Sequence, residues 1–267
     1  MCGIAAILLA PQPRPAAVWP AIKNVFIQNL VFNQKRGEAA TGVAVVQQNG
    51  QVQLEKLAAP ATEFVQSRAC TNLLNQIDDH TTLLLGHTRA PTKGSPDNYH
   101  NNHPLQTGPV CGIHNGHIHN DDDLFTRLKL LRQAQVDSEI IFRLLEQYSP
   151  LQLNHHYLAA IQPEIQRLQG KFTFLAVDQR AAGNLLVVKH QNPLSVYYHP
   201  QWNVLVFSSS YLFLRKTFGQ SAIYQTLPHD QLLYFEAHTL ATHHYRPAAH
   251  QALFSPVHSD NGKKPAL

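Results

Sequence analysis

The chain has 267 residues, 44% hydrophobic and 14% charged, with 21 basic and 17 acidic side chains and a formal charge of +4. That balance excludes a disordered chain, and the mixing of signs argues against nucleic-acid binding, which calls for a clustered basic face. No stretch reaches the roughly 18 apolar residues of a membrane span, and the apolar Ile4–Ala10 has no positive flank and is cut short by Pro11, unlike a signal peptide.

Cys2 to Leu9 reads as a buried strand, and Ile22, Val25, Phe26 and Leu30 then recur at helical spacing. Gly42–Gln48 and Gln51–Leu57 form two strand-like runs joined by Asn49-Gly50, a hairpin signal. A second amphipathic helix carries Phe64, Leu73, Leu74 and Ile77, and Thr81–Thr88 is a strand that leads into a Pro/Asn/Gly-rich loop from Arg89 to Pro104. Pro109–Ile113 reads as a strand, the run after Asp137 as a helix, and a further helix from near Leu151 ends at Gly170. Strands follow at Phe172–Val177, Leu185–Lys189, Ser195–Tyr198, Val204–Phe207 and Leu232–Phe235. Strands on both sides of a central helical pair predict one domain over 2–245, with two packed antiparallel sheets and helices outside. The tail 246–267 is expected to be poorly ordered.

Three cysteines, Cys2, Cys70 and Cys111, are too few and odd in number for a disulfide framework and point to a reducing, cytoplasmic compartment. Cys2 follows the initiator, and its small side chain permits removal of Met1. The residue would then carry a thiol together with an α-amine that titrates at about 7.7–8.0, so nucleophile and base share one residue. The plainer reading of Met1-Cys2-Gly3 is a buried cysteine on a first strand.

Gly86-His87-Thr88-Arg89-Ala90-Pro91-Thr92-Lys93-Gly94 ends a strand in Arg89, whose guanidinium fork can grip a carboxylate at a cleft edge. It can equally be a surface arginine in a salt bridge. His114-Asn115-Gly116 offers a side-chain amide beside a glycine N–H, two donors suited to an oxyanion, or simply a turn. Asp137-Ser138-Glu139 opens a helix, where Asp137 is either an N-cap or a carboxylate for a substrate ammonium.

Together with Arg36-Gly37, Gly42, Asn102-His103-Pro104 and Asn120, these motifs resemble the glutamine amidotransferase domain of the N-terminal-nucleophile hydrolases, the class with an N-terminal cysteine. The pattern is similar to the glutaminase domain of glucosamine-6-phosphate synthase. It is specific from Cys2 to Glu139 and weaker from Gly170 to about Tyr245. The resemblance implies an α+β, four-layer αββα sandwich. It also implies Cys2 as nucleophile and base, Asn115 and Gly116 as the oxyanion hole, Arg89 on the glutamine α-carboxylate and Asp137 on its α-ammonium. Thr92 and His103 would line the substrate site.

The expected activity is release of ammonia from glutamine through a Cys2 γ-glutamyl thioester, without cofactor, supplying a separate synthase subunit. Three departures bear on the pocket walls: Ala39-Ala40 where the family has Asp-Ser, Ala90 where it has an aromatic, and Lys189-His190 where it has Arg-Asp. Hydrolysis of a γ-glutamyl conjugate by the same residues is the alternative, and a non-catalytic regulatory protein a third. A metal site built on His100, His103, His114, His117 and His119 is not expected, because Asn115-Gly116 sits inside the run and no cysteine or carboxylate completes it.

Overall fold

The structure, a computed structural model, describes residues 2–219 and 224–254. In chain order it runs β1 (Gly3–Leu9), α1 (Val18–Asn33), β2 (Ala40–Gln47), β3 (Val52–Leu57), α2 (Ala61–Phe64), α3 (Arg68–Leu74), β4 (Thr81–Arg89), β5 (Leu105–Thr107) and β6 (Val110–Ile118). Then follow α4 (Asp121–Arg127), α5 (Glu139–Leu145), α6 (Pro150–Leu153), α7 (Tyr157–Gln166), β7 (Gly170–Asp178), β8 (Asn184–His190), β9 (Ser195–His199) and β10 (Val204–Ser208). The chain closes with α8 (Tyr211–Phe218), β11 (Tyr224–Thr226), β12 (Gln231–Glu236), α9 (Leu240–His243) and β13 (Ala249–Ala252).

Two antiparallel sheets result. Sheet A has the order β11-β9-β10-β1-β4-β2-β3, and sheet B the order β13-β12-β8-β7-β6-β5. β1 is apolar throughout because it is covered on both faces. Ile4, Ala6 and Leu8 point between the sheets, where they meet Cys111, Ile113, Leu175 and Val177 of sheet B. Ala5, Ile7 and Leu9 point outward onto Phe26 and Leu30 of α1. On the far side of sheet B, Ile141 and Phe142 of α5 and Ile161 of α7 pack on Phe172 and Phe174. Three apolar layers thus hold four layers of structure, the expected αββα sandwich. Helix α1 also places two buried amides against β10: Asn29 donates to the Phe207 carbonyl at 2.8 Å and Asn33 to Ser208 Oγ at 3.1 Å.

Several elements differ from expectation. β6 runs on to Ile118, with unbroken register from Val110 opposite Asp178 to Ile118 opposite Gly170. Asn115-Gly116 therefore lies inside a strand and forms no turn. Asp121-Asp122-Asp123 opens helix α4, where three carboxylates complement the N-terminal dipole. The helix expected from Leu151 to Gly170 is split at Asn154, whose φ of 47° breaks the helical path. Beyond the expected boundary at 245, Ala249–Ala252 forms edge strand β13 on β12, tied to α7 by Gln162, which donates to the Ala252 carbonyl at 2.6 Å. Residues 255–267 of the expected tail lie outside the described residues. Among the described residues no helix is long and apolar enough to cross a membrane.

Gly112 of β6 lets α5 approach sheet B. A Cβ there would fall 2.1 Å from Phe142 Cε1 and 2.7 Å from the Leu175 carbonyl oxygen. Gly112→Ala is expected to destabilise the fold by about 1–3 kcal/mol through overpacking, read as a lower urea midpoint at unchanged m-value.

Candidate active site

Cys2 emerges at the end of β1 beside the end of β4, because Gly3 pairs with Thr88. Its thiol meets the Ala90 backbone on both sides, with the Ala90 N–H and carbonyl each 3.4 Å from Sγ. Arg36 Nε donates to the Cys2 carbonyl at 2.8 Å and fixes the residue from behind. Burial pushes the Cys2 thiol pKa up, opposed in part by the Ala90 hydrogen bond. At rest the sulfur is therefore neutral, and reaction needs a base.

The thiol faces a narrow pocket with a cavity volume of about 10 Å³, walled by Arg89, Thr92, His103, Gly116 and Asp137 among others. Six of the seven residues singled out from the sequence thus meet in one place. Asn115, the seventh, faces between the sheets: its Nδ2 donates to Ser209 Oγ at 2.8 Å, and Ser209 Oγ also accepts from the Ile4 N–H at 2.8 Å. Its amide is linked to the strand that follows the nucleophile by two hydrogen bonds through one hydroxyl.

Gly116 is required by its backbone. With φ at 146° it occupies a region closed to L side chains, and a Cβ would sit 2.0 Å from the Lys171 carbonyl oxygen. Asp137 is buried but is not the cap of α5; Ser138 stands at that position, and Asp137 Oδ2 accepts from the Ile118 N–H at 2.7 Å. This carboxylate both lines the pocket and fastens the end of β6.

Arg89 holds the loop that covers the pocket. Nη1 donates to Asn102 Oδ1 at 2.8 Å, while Nη2 reaches the carbonyls of Lys93 at 2.6 Å and Gly94 at 2.8 Å. From outside, Lys93 Nζ bonds Asp121 at 2.7 Å and Asp122 at 2.8 Å, and Arg132 reaches the same two carboxylates at 2.7 Å.

His103 and His114 form part of the wall, and His87 packs against His103. His87 and His103 have ring centroids 4.3 Å apart, and His103 and His114 6.4 Å. His87 Nε2 meets the His114 carbonyl at 2.9 Å and His114 Nδ1 meets Ser138 Oγ at 2.7 Å, whereas neither ring nitrogen of His103 has a partner among the described residues. Burial pushes His87 down to about 3, His114 down to about 4, and His103 well below its usual value. His117 and His119 meet edge to face instead, with centroids 4.6 Å apart. Among the described residues no three His, Cys, Asp or Glu side chains converge to hold a metal ion.

Sequence reasoning gave no role to Ser209, Asn192 or Arg36. Asn192 Nδ2 donates to the Asn115 carbonyl at 2.9 Å. Ser209 and Asn192 come from the far half of the chain, and short polar residues after a strand carry no signal of their own. At the Lys189-His190 departure, His190 pairs with Asp230, and Lys189 is buried with no hydrogen-bond partner for Nζ among the described residues.

The four-layer sandwich, with a cysteine at the start of its first strand and an arginine closing the loop beside it, is the arrangement that the sequence resemblance implied. Residues 87–216 match the sequence profile of the glutamine amidotransferase domain. Over that stretch the chain is similar to glutamine amidotransferase domains, and the segment that carries Cys2 precedes it.

The chain is 27% identical over 204 residues to the glutamine–fructose-6-phosphate aminotransferase of Gluconobacter oxydans, covering 74% of this chain and 30% of that protein. It is 28% identical over 203 residues to that of Sulfolobus acidocaldarius, covering 73% and 31%. Among solved structures it resembles a glutamine phosphoribosylpyrophosphate amidotransferase from B. subtilis, with a TM-score of 0.68 at 19% identity over 95% of this chain and 49% of that one. The chain thus spans about a third of the length of these curated relatives.

The three neutral histidines make stability depend on pH. The unfolded chain takes up their protons near pH 6.5, while the folded chain resists down to the about 4 of His114 and the about 3 of His87. Their contribution is complete above about pH 6.5 and is lost as pH falls below it. The urea midpoint should drop between pH 7.5 and 4.5, and less so in a His103→Phe variant, which cannot take the proton. An equal drop in both would contradict this origin.

Proposed function

We propose that Cys2, freed of Met1, hydrolyses the side-chain amide of glutamine to glutamate and ammonia. What supports this reading most is the convergence of the Cys2 thiol with Arg89, Gly116 and Asp137 on one pocket. The α-amine of Cys2, neutral in large part near pH 7.7–8.0, takes the thiol proton as sulfur attacks the carboxamide carbon. The Gly116 N–H and the remaining Asn115 Nδ2 hydrogen donate to the oxyanion. The ammonium of Cys2 returns its proton to the departing nitrogen, ammonia leaves, and a γ-glutamyl thioester remains for water to hydrolyse. Arg89 takes the substrate α-carboxylate and Asp137 its α-ammonium, with Thr92 and His103 completing the walls.

The released ammonia passes to an acceptor site outside this domain, which we assign to a partner synthase subunit in the cytoplasm; the three free thiols accord with that compartment. A pull-down that recovers no synthase, with full glutaminase activity in the isolated chain, would contradict this assignment. Hydrolysis of a γ-glutamyl conjugate needs the same chemistry and a wider mouth, so kcat/KM for glutamine should exceed that for γ-glutamyl amides of larger amines.

Two measurements test the chemistry. Intact mass of an active preparation should show Met1 absent, and a glutamine-like diazoketone should add once, on Cys2, sparing the fully buried Cys70 and Cys111. An active enzyme that retains Met1 would sink the mechanism. Asn115→Ala should lower kcat by about 10²–10³ with KM little changed; a rise in KM at unchanged kcat would instead make Asn115 a ground-state binder.

A further inference from the structure

A second cleft opens where the edges of the two sheets meet, between β3 of sheet A and β5 of sheet B. Its cavity volume is about 350 Å³, and it is bounded by Leu54 and Lys56 of β3, Leu105 of β5, Tyr99 and Glu139, with His100, Gln106, Thr107 and Gln133 on its polar side. Lys56 lies across Gly42, where a Cβ would fall 2.7 Å from the lysine Cγ. Its Nζ donates to the Asn102 carbonyl at 2.9 Å and sits 4.2 Å from the centroid of the Tyr99 ring.

This ammonium has no carboxylate partner among the described residues. Glu139, the carboxylate in the cleft wall, is committed elsewhere: it accepts from the Gln133 and Ala134 N–H groups and from Arg143 Nε at 3.0 Å. Burial accordingly pushes Lys56 down to about 8. A cation drawn largely out of water, with no carboxylate bonded to it and a cleft of mixed polar and apolar lining in front of it, is complementary to an anion.

We propose that the cleft between β3 and β5 binds a small monocarboxylate, its oxygens on Lys56 Nζ and its apolar body against Leu54, Leu105 and the Tyr99 ring. One free cation matches one negative charge; a phosphate dianion would be left half compensated beside Glu139. The exposed Tyr99 ring at the mouth supplies a face for a flat ligand.

The cleft is wired to the Cys2 pocket. Lys56 holds the Asn102 carbonyl, Asn102 Oδ1 takes Arg89 Nη1, and Arg89 lines the pocket. A carboxylate that fixes Nζ steadies Asn102 and, through it, the guanidinium that grips substrate. Binding of the carboxylate stands by itself; its effect on glutamine rests on the glutaminase reading above.

Benzoate is the probe, with benzamide as its neutral isostere, titrated calorimetrically into the full chain. Benzoate should bind, and benzamide about tenfold more weakly or less, since a hydrogen bond to a charged group is lost. Lys56→Met should weaken benzoate about tenfold, while Lys56→Arg retains it. Tyr99→Ala, at an exposed position, guards against a misfolded Lys56 variant and should weaken it as well. Saturating benzoate should lower KM for glutamine about fivefold, the low end of coupling between sites, at unchanged kcat. No benzoate binding, equal binding of benzamide, equal binding by folded Lys56→Met, or competition between benzoate and glutamine would each overturn the site. Unchanged KM would overturn the coupling. A chain inactive on glutamine would sink the glutaminase reading and leave the calorimetry to decide this one.

Discussion

One hydroxyl joins the two sheets beside the nucleophile. Ser209 Oγ accepts from the Ile4 N–H of β1 and from the Asn115 amide of β6, and the Ser209 N–H returns a bond to the Ile4 carbonyl at 3.0 Å. Between packed sheets lies about 10 Å of apolar side chains, and that contact is non-directional. It sets how far apart the sheets stand but tolerates sliding. A hydroxyl with two donors aimed at it does not, so the offset between Cys2 and Asn115-Gly116 is set by this bond. Asn192 reinforces it from the loop after β8 by holding the Asn115 carbonyl.

The same end of the sandwich is polar and of mixed charge. His87, His103 and His114 are buried and neutral, and Arg89, Lys93 and Asp137 line the pocket beside the thiol. A thiol in such surroundings keeps its proton. In the proposed reaction this places the whole burden of activation on the base, and an amine on the same residue needs no side chain to be positioned for it. Arg36, on the Cys2 carbonyl, then orients nucleophile and base together.

The strands of both sheets were legible because apolar runs bounded by turn residues have few other readings, and Asn49-Gly50 marked its hairpin. Asn115-Gly116 was legible as a motif but not as a place. In isolation the dipeptide reads as a turn, and only pairing with Thr173 and Phe172 draws it into β6. Helix α4 was hidden inside a run of three aspartates, because a charge block and a dipole-stabilised first turn look alike without tertiary partners. β5, β11 and β13 are too short for periodicity to register. Ser209 could not be found at all, since its importance lies in an amide 94 positions away.

The loop over the pocket is fastened in two different media. Inside, Arg89 grips Asn102 and the Lys93 and Gly94 carbonyls in a region that water scarcely reaches. Outside, Lys93 and Arg132 share Asp121, which is 5% exposed, and Asp122, which is 74% exposed. Dissolved ions screen the second set and hardly touch the first. Rising ionic strength would therefore loosen the rim of the cover while its root stays in place, so that the mouth of the pocket responds to the electrolyte around it and the chemistry beneath does not.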